Sequence, residues 1–178
     1  KAYQGIGVES LAEANLTEGI PIGVPRSFAT QFATIGQGNV MVVGDDPDGE
    51  QSIIRSVYAT MKRNGRLAEL SVFDASGSYP LGLPGLPGIK VSSDINAITL
   101  VENCTLCMLN MEAFDTLLIN KLDTLLEEAW QNHVRVLLFS KTDVNANGLG
   151  MTSAIFGTRI ALCHAPESYL SPVHFFDS

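Results

Sequence analysis

The chain has 178 residues, 46% of them hydrophobic, and a formal net charge of −8 from 11 Lys and Arg against 19 Asp and Glu. Together with a mean hydropathy of +0.18 and a pI near 4.7, this predicts one well-buried α/β domain rather than a disordered chain. The acidic balance argues against non-specific contact with nucleic acid or anionic membranes, and with no run of about 18 apolar residues nothing is expected to span a membrane.

The opening Lys1-Ala2-Tyr3 carries neither a secretory pattern nor an initiator Met, which leads us to expect a fragment of a longer chain. Residues 1–19 are weakly patterned and read as a lead-in closing on the turn Thr17-Glu18-Gly19; residues 20–178 read as a single domain. Residues 20–24 predict a short strand and residues 31–35 a hairpin partner for it.

Residues 39–54, NVMVVGDDPDGEQSII, organise the rest. An apolar run at 40–43 predicts a strand, Gly44 to Gly49 a loop, and Ile53, Ile54, Val57, Tyr58 and Met61 the apolar stripe of a helix over 50–64 that ends at Gly65. Strand, glycine-bounded loop and helix form the layout of a phosphate-binding P-loop, and Gly44 and Gly49 have its glycine spacing. Glu50 and Gln51, followed by Ser52, stand where that loop has its Lys and its Ser/Thr. The lysine would supply charge to the phosphates and the hydroxyl would hold magnesium. Here Asp45, Asp46 and Asp48, around Pro47, add three more carboxylates to that of Glu50. Two like charges about 4 Å apart cost roughly 4 kcal/mol at an effective dielectric of about 20. A helix N-terminus returns about 2 kcal/mol at most. The stretch therefore predicts a nucleotide-binding fold whose phosphate site has been abandoned.

Further along, residues 67–74 predict a strand ending in Asp74, and the Gly- and Pro-rich residues 77–88 an irregular connection whose Leu81, Leu83 and Leu86 either cap the core or face a partner. Residues 89–91 predict a short strand, 93–102 a helix, 105–109 a core strand, 112–132 the longest helix, and 134–139 another core strand. A polar loop at 140–150, a short helix at 151–156 and a strand at 158–162 follow. Strands alternating with helices predict a mostly parallel sheet with helices on both faces. The three cysteines leave one unpaired in any disulfide scheme and fit a reducing compartment. Cys104 and Cys107, with Cys163 and His164, have the makings of a zinc set, but residues three apart on a strand point to opposite faces, which argues against chelation.

The order of these parts resembles an FtsK/SpoIIIE-type (HerA-related) P-loop ATPase domain, most of all the degenerate C-terminal ATPase domain of the EssC/EccC family of type VII (ESX) secretion proteins. The likeness rests on Ile20-Pro21-Ile22-Gly23-Val24, on NVMVVGDDPDGEQS, on LSVFDAS, and on VRVLLFSKTD followed by Gly157-Thr158-Arg159-Ile160-Ala161, and it covers residues 20–162. It implies a RecA-like fold. It also implies a Walker B strand ending at Asn110 and Met111, where the family has Asp-Glu, with Glu112 reachable only by a slip of one residue. Ser140 to Thr142 would hold the sensor position, and Arg159 would match a family arginine or make a structural ion pair. With both motifs degraded, the resemblance implies a pseudo-ATPase without a catalytic residue, cofactor or metal of its own. ATP and magnesium would serve other domains of the parent. Its partners would be those domains, secreted substrate proteins or further copies in an oligomer, at the cytoplasmic face of a membrane. The rivals are a domain that still binds or weakly hydrolyses nucleotide and a DNA-translocase module; the latter calls for a basic stripe that 11 basic residues against 19 acidic ones do not supply.

Overall fold

The computed structural model describes residues 3–4, 20–25, 33–35, 38–142, 155–156 and 158–162. Short strands β1 (Tyr3–Gln4), β2 (Ile20–Pro25) and β3 (Ala33–Ile35) form an antiparallel sheet in that order. The main sheet contains β4 (Val40–Val43), β5 (Leu70–Asp74), β6 (Lys90–Ser92), β7 (Thr105–Leu109), β8 (Arg135–Ser140) and β9 (Thr158–Ala161). Its order is β6-β5-β7-β8-β4-β9, and every pairing is parallel. The chain is thus α/β with a parallel sheet, as the alternation of elements predicts.

Helices cover both faces. Val40 and Val42 of β4 face helix α1 (Pro47–Arg63) in a core with Ile53, Ile54, Val57, Tyr58 and Met61. Met41 and Val43 point the other way, into a core with Leu122, Leu125, Leu126 and Ala129 of α2 (Ile119–Gln131). Strands buried on both faces read as continuous apolar runs, which is why the sequence marks β4, β7 and β8 clearly. Among the described residues no helix is long and apolar enough to cross a membrane.

Several expected elements differ. Helix α1 begins at Pro47 rather than at residue 50, because the Asp46 carboxylate caps it and Pro47 fits its first position. The expected helix at 93–102 is one 3-10 turn, Ile95–Ala97: the Asp94 carboxylate takes the Asn96 N–H at 2.9 Å and its amide at 2.8 Å, a local pairing that competes with helix. The long helix expected over 112–132 is broken into two 3-10 turns, Met111–Ala113 and Thr116–Leu118, before α2. Asp115 recaps the chain there by accepting the Leu117 N–H at 3.0 Å. The strand expected from residue 67 opens as a 3-10 turn, Leu67–Glu69. In the irregular connection at 77–88, Leu83 and Leu86 are buried and Leu81 is exposed. Most of the helix expected at 151–156 lies outside the described residues.

Candidate functional site

In a parallel sheet all strands end at one edge, and here four segments meet there: the loop after β4, the end of β5, and the turns after β7 and β8. The chain leaves β4 toward β5 on one side and leaves β8 toward β9 on the other. Such a switch in strand order is where ligands settle in open α/β sheets.

The β4–α1 loop is only Gly44, Asp45 and Asp46. Gly44, at φ +138°, donates its N–H to the Ser140 carbonyl at 3.1 Å, tying the loop to β8. The Asp46 carboxylate accepts the Gly49 N–H at 3.0 Å and its carbonyl accepts the Glu50 N–H at 2.9 Å. Pro47 has no N–H to offer. The Gly44, Gly49 and Glu50 N–H groups, which could cradle an anion, are thus taken up by the chain itself. Pro47, Asp48, Gly49, Glu50, Gln51 and Ser52 are all helical, which corrects the expectation of a loop running from Gly44 to Gly49. Gly49 has a packing reason to be glycine: a Cβ there would stand 2.8 Å from Asp46 Oδ2 and 3.1 Å from Leu162 Cδ2.

Asn110 follows β7 in the left-handed conformation, φ 53° and ψ 41°, and its amide donates to Asp74 Oδ1 at 2.8 Å. Asp74 is 1% exposed. It also accepts the Ser76 N–H at 3.1 Å, the Ser76 hydroxyl at 2.8 Å and the Tyr79 N–H at 3.0 Å. Burial pushes its carboxyl up, but the Asn110 amide and the Ser76 and Tyr79 donors together hold it below the ordinary carboxylate value. Met111 is fully buried in the core of α2 and presents nothing to this edge. Glu112 reaches across instead, its Oε2 accepting the Lys141 N–H at 3.0 Å.

Lys141 brings a positive charge to the edge. Its Nζ lies 3.8 Å from Asp45 Oδ1. Glu50, on the first turn of α1, has its carboxyl pushed up by burial and by Glu112 and Asp74, against the pull of Lys141. The Tyr79 phenol is likewise raised by burial, Glu50 and Asp74, while a hydrogen bond with the Gln51 side chain and the charge of Lys141 oppose the shift. Ser140 is buried, and its hydroxyl donates to the Thr142 carbonyl at 2.8 Å. Arg159 pairs with Met41 in the β4–β9 register.

The edge therefore brings together the loop residues, Asn110 and Ser140 from the sequence reading, and leaves Met111 out. Sequence reasoning missed Tyr79 and Lys141 as neighbours of Glu50, and Asp74 as the partner of Asn110. The Asp46-Pro47 pair was the available signal for an earlier helix start. Among the described residues no group of three or more His, Cys, Asp or Glu side chains is placed to hold a metal ion. Cys104 and Cys107 are free and buried in opposite cores, as their spacing predicts, while Cys163 and His164 lie outside the described residues. Comparison of the chain with protein-family models, with curated proteins and with solved structures finds no match in any of the three.

Proposed function

We propose that the chain is a degenerate P-loop domain of RecA-like fold, the non-catalytic C-terminal ATPase-like module of a type VII secretion motor, working by protein contact rather than by hydrolysis. One observation carries this reading. Of the positions that the resemblance assigns to phosphate binding, metal binding and sensing, Asp46, Gly49, Asn110 and Ser140 lie at one edge of a parallel sheet and are engaged within the chain. Asp46 holds the Gly49 N–H, Asn110 holds Asp74, and Ser140 holds the Thr142 carbonyl. Phosphoryl transfer develops charge that a cation must neutralise; at this edge the Lys141 ammonium lies 3.8 Å from Asp45 Oδ1. On this reading ATP and magnesium belong to other domains of the parent. Those domains and secreted substrate proteins are the partners, and the domain works at the cytoplasmic face of a membrane.

Calorimetric titration with ATP and magnesium tests the reading, beside a Glu50→Lys/Gln51→Ser double variant. We expect no binding by the unmodified chain up to about 1 mM, a limit of roughly −4 kcal/mol. The double variant is expected to stay silent too, because Asp46 and Pro47 still close the helix end. Micromolar binding by the unmodified chain would overturn the reading in favour of a nucleotide-binding domain. Binding by the double variant alone would mean that the loss lies in those two side chains and not in the shape of the loop.

A further inference from the structure

Helix α1 leaves its last turn through the dipeptide Asn64-Gly65. Residues 62–66 are exposed, and apart from its chain neighbours no atom lies within 4 Å of where a Gly65 Cβ would stand. Asparagine is thermolabile, because the next backbone nitrogen can attack its side-chain amide carbon. Glycine offers that nitrogen with the least obstruction and on the freest backbone. Among the described residues Asn64 is the only asparagine followed by glycine; a second pair, Asn147-Gly148, lies outside them.

The cap of α1 holds the two reacting atoms apart. Asn64 has ψ 2°, so the Gly65 nitrogen eclipses the Asn64 nitrogen and is turned away from the Asn64 side chain. The Gly65 N–H is donated to the Lys62 carbonyl at 3.1 Å, and the Arg66 N–H to the Met61 carbonyl at 2.8 Å. Arg66 anchors this exit. Its guanidinium donates to the Asn103 carbonyl at 2.9 Å and to the Glu69 carboxylate at 2.7 Å, tying the end of α1 to the turn before β7. Ring closure needs rotation about the Asn64 Cα–C bond, which breaks the Gly65 hydrogen bond. Helix ends open locally at lower cost than the core, so the reaction waits on fraying of this one turn.

We propose that Asn64 is a site of spontaneous modification gated by the α1 cap. When the cap opens, the Gly65 nitrogen gives up its proton and bonds to Asn64 Cγ. The Cγ–NH2 bond breaks, and ammonia leaves with that proton. Water then opens the succinimide: cleavage at Cγ leaves aspartate, and cleavage at the main-chain carbonyl leaves isoaspartate, whose longer main chain no longer fits the cap. Nothing in this step depends on the function of the chain. The test is incubation of the folded chain at mildly alkaline pH beside the same chain in urea and beside Arg66→Ala. Mass spectrometry then follows residues 51–69, which a Glu-specific digest releases as one peptide. Arg66 is half exposed, so its variant is expected to remain folded. Asn64 should convert in the folded chain about five- to thirtyfold more slowly than in urea, the factor that opening one or two hydrogen bonds supplies. Arg66→Ala should convert severalfold faster than the parent when folded and at the parent's rate in urea. An Asn64 still intact in the folded chain once the unfolded chain has converted would overturn the site. Equal rates in folded and unfolded chains, a folded Arg66→Ala no faster than the parent, or a variant faster in urea as well, would each overturn the gating.

Discussion

Gly49 has the spacing of a phosphate-loop glycine, yet in the fold it answers to a neighbour within the chain. Its missing side chain makes room for the Asp46 carboxylate and Leu162. Gly49→Ala is therefore expected to cost about 1–3 kcal/mol through crowding and a weakened cap, measured by denaturant unfolding; a neutral result would mean that the cap does not need this room. Glu50 makes the opposite case. Its carboxyl is pushed above the ordinary 4.5 by burial, Glu112 and Asp74. Folding therefore favours the protonated form: the stability this contributes is complete below about pH 4.5 and is lost as pH rises through the folded-state value. Glu50→Gln should melt higher than the parent at pH 7, and the gap should close on acidification to about pH 4. A gap that widens in acid would contradict the cluster as described.

At the scale of elements, the two helices end alike with different residues. After α1, Gly65 at φ +68° donates to the Lys62 carbonyl at 3.1 Å, and Arg66 donates to the Met61 carbonyl at 2.8 Å. After α2, His133 at φ 53° donates to the Trp130 carbonyl at 3.2 Å, and Val134 donates to the Ala129 carbonyl at 2.8 Å. Both are Schellman caps, whose left-handed position suits glycine. His133→Gly is expected to stabilise the chain by about 0.5–1 kcal/mol, equivalent to a rise of roughly 1–4 °C in Tm; a lower Tm would show that the imidazole contributes more than the backbone strain costs. The same comparison explains what the sequence revealed. Gly65 marks the end of α1 because glycine announces a left-handed residue, whereas His133 carries no such signal. The start of α1 was hidden by the Gly44–Gly49 spacing, which made Asp46-Pro47 look like the middle of a loop. The breaks at Asp94 and Asp115 come from single side chains capturing nearby N–H groups, which apolar periodicity does not register. Asn110 was found by position in the chain, but its partner Asp74 lies 36 residues away, a contact that exists only after β5 and β7 pair.

For the molecule as a whole, the order of the main sheet sets a gradient of protection. β7, β8 and β4 are each paired on both sides, while among the described residues β6 pairs only with β5 and β9 only with β4. β7 and β8 are buried along nearly their whole length, whereas Lys90 of β6 is exposed. Hydrogen exchange followed by mass spectrometry should find the slowest amides in β7 and β8 and the fastest of the main sheet in β6. Equal rates across the sheet would contradict a core centred on β7 and β8.

β7 also carries its own pair of chemical clocks. Cys104, at its foot, lies in the core on the α2 side, and Cys107, within it, lies in the core on the α1 side. Burial pushes the Cys107 thiol up to about 12, so at neutral pH it reacts with an alkylating reagent only when its surroundings open. The two sulfurs consequently time the opening of the two half-cores separately. Labelling at one common rate means that the sheet comes apart as a single event, and labelling of one before the other identifies the layer that lifts first.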